Sequence, residues 1–285
     1  MKTLKHIVEG IFDKSNKDNV GKAFDDDILD WVKENYKGKF YISGVKNGMT
    51  QVSSKGNVKL ISQLETLTNG QFEFDHIKGH FDIHSCKPLN TFAGGPKVVD
   101  GDLKAHFCPN LNSFEGCPEK IGGVLNINSS GFKSLKGIPD AHSYDIRSLW
   151  IRSLEGLPKK VEGFVDCSSC LGLIDLVGAP REVGDRFDCS WCKSLHSLKG
   201  GPEKVGSNFQ CSYCSYIETL EGAPKEVGLS VFCHNCQSLV SLKGCPQKIA
   251  HDIWIGGCNE LYDIHDIPYG VHVFGKEDCI RLKYR

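Results

Sequence analysis

From residue 89 onward, apolar residues recur in pairs three positions apart, and each pair is followed two residues later by a turn residue. The pairs are Leu89/Phe92, Leu111/Phe114, Phe132/Leu135, Ile151/Leu154, Leu173/Leu176, Leu195/Leu198, Ile217/Leu220, Leu239/Leu242 and Leu261/Ile264. The turn residues are Gly94, Gly116, Gly137, Gly156, Gly178, Gly200, Gly222 and Gly244, with Asp266 in the ninth place. Most steps are 22 residues, but Gly116 to Gly137 takes 21 and Gly137 to Gly156 takes 19. Ahead of each pair runs a short alternating stretch, such as Phe187-Asp188-Cys189 or Phe209-Gln210-Cys211. Period two predicts strands there.

Self-similarity at a fixed period predicts a solenoid, in which each unit buries its apolar face only against its neighbours. One unit cannot offset its own ordering entropy, about 1–2 kcal/mol per residue for the backbone, whereas nine or ten stacked units can. Strand alternation sends Phe187, Cys189, Phe209 and Cys211 inward and Asp188 and Gln210 outward. The Pro after each Gly, lacking a donor, suits a convex segment of turns and short helical pieces. A solenoid tolerates the two trimmed units near the middle at a loop, and they are expected to disturb its curvature there.

Written out, the unit reads apolar-x-Cys-x-x-Cys-x-x-Leu-x-x-Leu-x-Gly-x-Pro-x-x-Val. Over residues 56–285 this resembles the leucine-rich repeat, with the second Cys of each pair in the family's Asn/Cys ladder position: Cys86, Cys108, Cys170, Cys192, Cys214, Cys236 and Cys258. The chain departs from the many family members that carry Asn there, and its trimmed units have no Cys. The wording around "LEGAPKEVG" also resembles repeats of large tailed bacteriophage proteins. The opening "MKTLKHIVEG" is similar to the capsid-targeting peptide of internal head proteins in T-even-like phages, which implies cleavage after Ile7-Val8-Glu9 and packaging in the virion head. An ordinary amphipathic leader accounts for the same ten residues.

Three segments follow: a leader and linker over 1–23, an N-terminal helix and cap over 24–55, and the leucine-rich-repeat-like solenoid over 56–285. The fold class expected is an α/β or mainly β solenoid of about nine or ten units with short parallel strands. Residues 25–37 read as an amphipathic helix, with an Asp run at its start, Ile28, Leu29, Val32 and Tyr36 on one face and Gly38 after it. It is expected to close the open end of the array. Val58, Ile61, Leu64 and Leu67 match the apolar columns of a divergent first unit.

Four Cys-x-x-Cys pairs, Cys167/Cys170, Cys189/Cys192, Cys211/Cys214 and Cys233/Cys236, offer thiolates at the spacing of a zinc site. Their regular recurrence favours buried columns, because copies one strand apart repeat along the array without making an isolated set of four, and Cys packs as a small hydrophobe. On a strand His80 and His84 stand about 13 Å apart, too far to share an ion. Cys233 and His234 look like a nucleophile and base, but period two sends them to opposite faces. No metal, cofactor or catalytic residue is therefore expected.

A net charge of −1 with scattered Lys and Arg gives no electrostatic footprint for nucleic acid. Phosphate-cradling glycine loops, nucleophile elbows and zincin helices are absent from the pattern, and so is an apolar run of membrane-spanning length. The expected function is non-catalytic protein binding through the concave strand face, with a host or phage protein as partner and no membrane or small-molecule substrate. Alternatives are a structural or internal virion protein and, more weakly, a metal-binding cysteine array. Host cytoplasm is the expected location, with packaging in the head if the leader is a targeting peptide. Outward positions nominated for the partner are Arg186, Asp188, Asn208, Gln210, Phe232, His234, Asp252 and Trp254, with Trp191 and Tyr213 at the edge. Phe232 and Trp254 carry most weight, since outward aromatics on neighbouring strands resemble interface anchors.

Overall fold

The computed structural model describes residues 17–283, with side chains over 25–282. The leader triplet Ile7-Val8-Glu9 lies outside the described residues. From Phe81–Asp82 to His272–Phe274 the chain winds as a parallel-strand β-solenoid of about ten turns. Val165, Phe187, Phe209, Val231, Ile253 and Val273 pair in register on successive turns. The first five are fully buried, as their inward parity requires.

A second ladder runs beside the first, over Lys160–Val161, Glu182–Val183, Lys204–Val205, Glu226–Val227 and Lys248–Ile249. Here the closing Val or Ile of each repeat faces in, while the residue before it faces out and alternates Lys, Glu, Lys, Glu, Lys. Lys248 and Lys204 stand 2.6 and 3.8 Å from the Glu226 carboxylate. A register slip would oppose like charges. Between Tyr36 and Gly275 the described chain has no helix, so the short helical pieces expected on the convex side do not form. Gly-x-Pro, or Asp266-Ile267-Pro268 in the last turn, and a left-handed residue interrupt the turns before one can propagate.

All the cysteines but Cys117 and Cys245 fill two inward columns. In the first, Cys167, Cys189, Cys211 and Cys233 take the place that Ile83, Ala105, Ile127, Ile146 and Ile255 hold in other turns, and all nine are fully buried. Isoleucine fills that column elsewhere, so it is apolar space, although the Cys167 and Cys189 thiols also donate to the Asp188 and Gln210 carbonyls of the following turn at 3.3 Å. In the second, the thiol reaches back to a carbonyl of the preceding turn: Cys192 to Cys167, Cys214 to Cys189, Cys236 to Cys211 and Cys258 to Cys233, at 3.0–3.3 Å. Cys279 joins this ladder through the Ile255 carbonyl at 3.2 Å. In the first trimmed unit Ser130 substitutes, its hydroxyl donating to the Ala105 carbonyl at 2.8 Å. The residue before each ladder position is left-handed: Ser85, Phe107, Ser129, Ser148, Ser169, Trp191, Tyr213, Asn235 and Gly257.

Trimming fuses the two ladders. Lys120–Asn126 pairs with both Val98–Val99 and Leu103–Lys104, and the next strand, Asp140–Asp145, follows it with a register shift between Ala141 and Ser143. At the N-terminal end the helix spans Lys17–Asn35, starting earlier and ending sooner than expected. Tyr36 belongs instead to the strand Tyr36–Lys37, antiparallel to Val58–Leu60. Ile28 and Val32 are buried, Leu29 is half-buried, and Trp31 packs edge-on against Phe72 at 5.6 Å. The Tyr36 hydroxyl donates to the Leu67 carbonyl at 2.7 Å. A hairpin of Phe40–Lys46 and Met49–Ser54, not foreseen, covers the neighbouring edge. Ile61 is exposed, contrary to its apolar-column assignment, because Val58 and Leu60 take the inward parity of that strand.

Candidate binding face

The outward strand positions change character along the array. In register at successive turns stand Asp82, Lys104, Asn126, Asp145, Asp166, Asp188, Gln210, Phe232, Trp254 and Phe274. The middle is acidic and the C-terminal end aromatic.

Three aspartates on adjacent strands would repel one another if nothing intervened. The Arg147 guanidinium forks onto Asp145 with two 2.8 Å hydrogen bonds and lies 3.7 Å from Asp166. Arg186 approaches Asp166 at 3.5 Å while its guanidinium lies 4.3 Å from the Phe164 ring centroid. Asp145 and Asp166 are buried by this arrangement. Asp188 receives the Ser190 backbone amide at 2.8 Å and its hydroxyl, yet burial holds its pKa above the usual carboxylate range, with the Asp166 charge adding to the effect.

Beyond Gln210 the rings stack. Phe232 and Trp254 lie 6.0 Å apart at 16°, and Trp254 and Phe274 lie 4.5 Å apart at 17°. Trp254 and Phe274 are exposed. The His234 ring meets the Ser212 hydroxyl at 3.0 Å and the edge of Tyr213 at 5.2 Å, and burial lowers its pKa. At the edge of the face Trp191 stacks on Tyr213 at 3.8 Å. Both occupy left-handed backbone, φ 63° and 59°, where a bulky side chain is disfavoured by about 1–2 kcal/mol.

Two open concavities follow from this layout. One of about 380 Å³ is lined by Arg147, Asp166, Asp188, Gln210, Phe232 and His234, among others, with Trp191 and Tyr213 at its rim. The next, of about 430 Å³, runs from His234 past Trp254 and Phe274 to Asp278. Of the nominated residues, Asp188, Gln210, Phe232, His234 and Trp254 line them. Arg186, Asn208 and Asp252 do not. Asn208 accepts the Ser230 backbone amide at 3.1 Å, a role internal to the turn, and Arg186 is engaged with Asp166 and Phe164. Ser190, Ser212 and Ser230, though outward in parity, are buried under their neighbours.

Phe274 and Arg147 escaped the sequence reading. The step from Trp254 to Phe274 is 20 residues, which breaks the count, and Arg147 sits in a trimmed unit. Cys233 is buried under the sheet while His234 lies on the outer face, so they do not form a pair. Burial raises the thiol pKa to about 12 for Cys170 and Cys214 and to about 11 for Cys108 and Cys279. Among the described residues no three His, Cys, Asp or Glu side chains converge to hold a metal ion, and no helix is long and apolar enough to cross a membrane. Set against family models, curated proteins and solved structures, the chain matches none.

Proposed function

We propose that the protein is a non-catalytic binding scaffold that takes a protein partner on the outward strand face of its C-terminal half. One observation carries this reading: Phe232, Trp254 and Phe274 stand in register on successive strands, and two of the three rings stay exposed although each stacks on a neighbour. The solenoid core does not require aromatic residues in these outward positions, since earlier turns hold Asp, Lys and Asn there. A run of rings beside half-buried polar groups is the composition of interface anchors. The resemblance of the repeats to those of large phages makes a phage or host protein the first partner class to test.

Pull-down from bacterial lysate tests the proposal, with wild type and a Phe232→Ala/Trp254→Ala double variant checked for folding by thermal melting. Capture of a defined protein by wild type and its loss in the folded double variant is the expected result. Equal capture by both, or no specific capture by wild type, rejects this face.

A further inference from the structure

The trimmed units leave a mark on the turn side, away from Phe232, Trp254 and Phe274 but meeting the edge of the strand face at Trp191. In regular turns two residues separate the ladder cysteine from the next apolar residue: Leu171 and Gly172 after Cys170, Lys193 and Ser194 after Cys192. After Ser130 and Leu149 only one does, Gly131 and Trp150 respectively. The missing residue opens a notch of about 760 Å³, lined by Lys133, Trp150, Arg152, Gly172, Ile174 and Ser194. Gly172 keeps its floor low, since a Cβ there would lie 2.8 Å from the Ile151 carbonyl oxygen. A second concavity of about 380 Å³ shares Trp150 and continues to Leu171, Trp191 and Lys193.

The apolar lining is open to solvent, with Trp150 65% exposed and Ile174 54%. Contiguous exposed apolar surface of this kind marks interaction sites. Every charged residue lining the two concavities is basic: Lys133, Arg152 and Lys193. None of these three side chains makes an ion pair or hydrogen bond among the described residues. Elsewhere on the solenoid, Arg181, Lys204, Lys243 and Lys248 are engaged by carboxylates of the adjoining turn. The notch thus combines apolar surface with unspent positive charge.

We propose that this notch is a second docking site, for a protein segment that alternates carboxylate and apolar side chains. Its carboxylates meet Lys133, Arg152 and Lys193, and its apolar side chains cover Trp150, Leu171 and Ile174. A nucleic acid fits less well: three cations in a chain of net charge −1 give a short phosphate track, and Leu171 and Ile174 offer bases no stacking plane.

Fluorescence anisotropy with the full chain and a labelled peptide, EELDFLEE, tests it against three competitors: KKLKFLKK, EESDSSEE and oligouridylate. The expected result is saturable, salt-sensitive binding of EELDFLEE that weakens at least about tenfold in Lys133→Glu/Arg152→Glu and in Trp150→Ser, all at exposed positions. Phe232→Ala/Trp254→Ala should bind as wild type, which separates this site from the strand face. No binding at about 1 mM, equal affinity for EESDSSEE or KKLKFLKK, tighter binding of oligouridylate, or indifference to Trp150→Ser would each overturn it.

Discussion

The Cys214 thiol donates a hydrogen bond to the Cys189 carbonyl oxygen, 3.2 Å away in the preceding turn. Cys211, three residues earlier and equally buried, packs in a column that Ile127, Ile146 and Ile255 also occupy. Cys211 and Cys214 therefore do different work: the first fills apolar space, and the second supplies the partner for a buried main-chain acceptor. The Ser130 hydroxyl serves the second role in one trimmed turn, whereas Leu149 holds the position in the other without a donor.

Cys211→Val is accordingly expected to change stability by less than about 1.5 kcal/mol, a volume-conserving swap in an apolar column. Cys214→Val leaves the Cys189 carbonyl unpaired and should cost about 1–3 kcal/mol. Urea denaturation of the two variants decides the matter. Equal effects would show that the thiol donation contributes nothing.

Thiol reactivity follows from the same columns. With burial raising the thiols of the four Cys-x-x-Cys pairs, none of these eight should be modified by a maleimide or by iodoacetamide at pH 8 while the protein is folded. Cys117 lies outside both columns and is half-buried, but burial raises its thiol as well, so it too should stay unmodified. Mass mapping after brief labelling reads this directly, and rapid labelling of any Cys-x-x-Cys pair would contradict the assigned packing.

Trp191 stacks on Tyr213 at 3.8 Å from a backbone that favours glycine. Trp191→Gly loses a stack of about 0.5–1.5 kcal/mol but relieves left-handed strain of similar size, so its stability should stay within about 1 kcal/mol of wild type. Trp191→Ala loses the stack and keeps the strain. Thermal melting should rank the glycine variant above the alanine variant, and the reverse order would refute the strain argument.

Column membership was legible in the sequence because period and parity fix it: once the 22-residue step is known, Phe187, Cys189 and Phe209 can only face in. The second ladder was less visible, since its strands at Lys204–Val205 and its neighbours are two residues long and carry no alternation to detect. Outward parity also failed to foretell burial. Asp166 is covered because Arg147 reaches across from a trimmed turn, a contact that depends on loop lengths in a different unit. For the same reason the notch beside Trp150 had no signature beyond a missing residue.

The Lys–Glu ladder offers a test of register. Lys204→Glu would set a new carboxylate between those of Glu182 and Glu226 on the second sheet, like charges facing across strands. These side chains are exposed, so the penalty should be a melting-temperature decrease of a few degrees at most. It should appear at low ionic strength and shrink in about 1 M salt. Salt-independent destabilisation would show that Lys204 acts through packing instead.

A pH dependence follows from His106, whose ring lies 4.8 Å from that of His84 at 3° and whose buried Nδ1 has no hydrogen-bond partner. Burial lowers its pKa first, the adjacent His84 lowers it further, and Asp82 and Asp145 oppose both. His234 is lowered by burial alone. A histidine held neutral in the folded chain binds fewer protons than in the unfolded one, so stability is complete above the unfolded value of about 6.5 and declines as pH falls through it toward the folded value. Asp188, whose pKa is raised, works in the opposite direction, but only further into acid, between the ordinary carboxylate value and its own. Thermal melts between pH 7.5 and 5.5 should therefore show falling stability, and His106→Gln, which carries no titrating group, should flatten the slope. An unchanged slope in that variant would place the titration elsewhere, with His234→Gln as the next measurement.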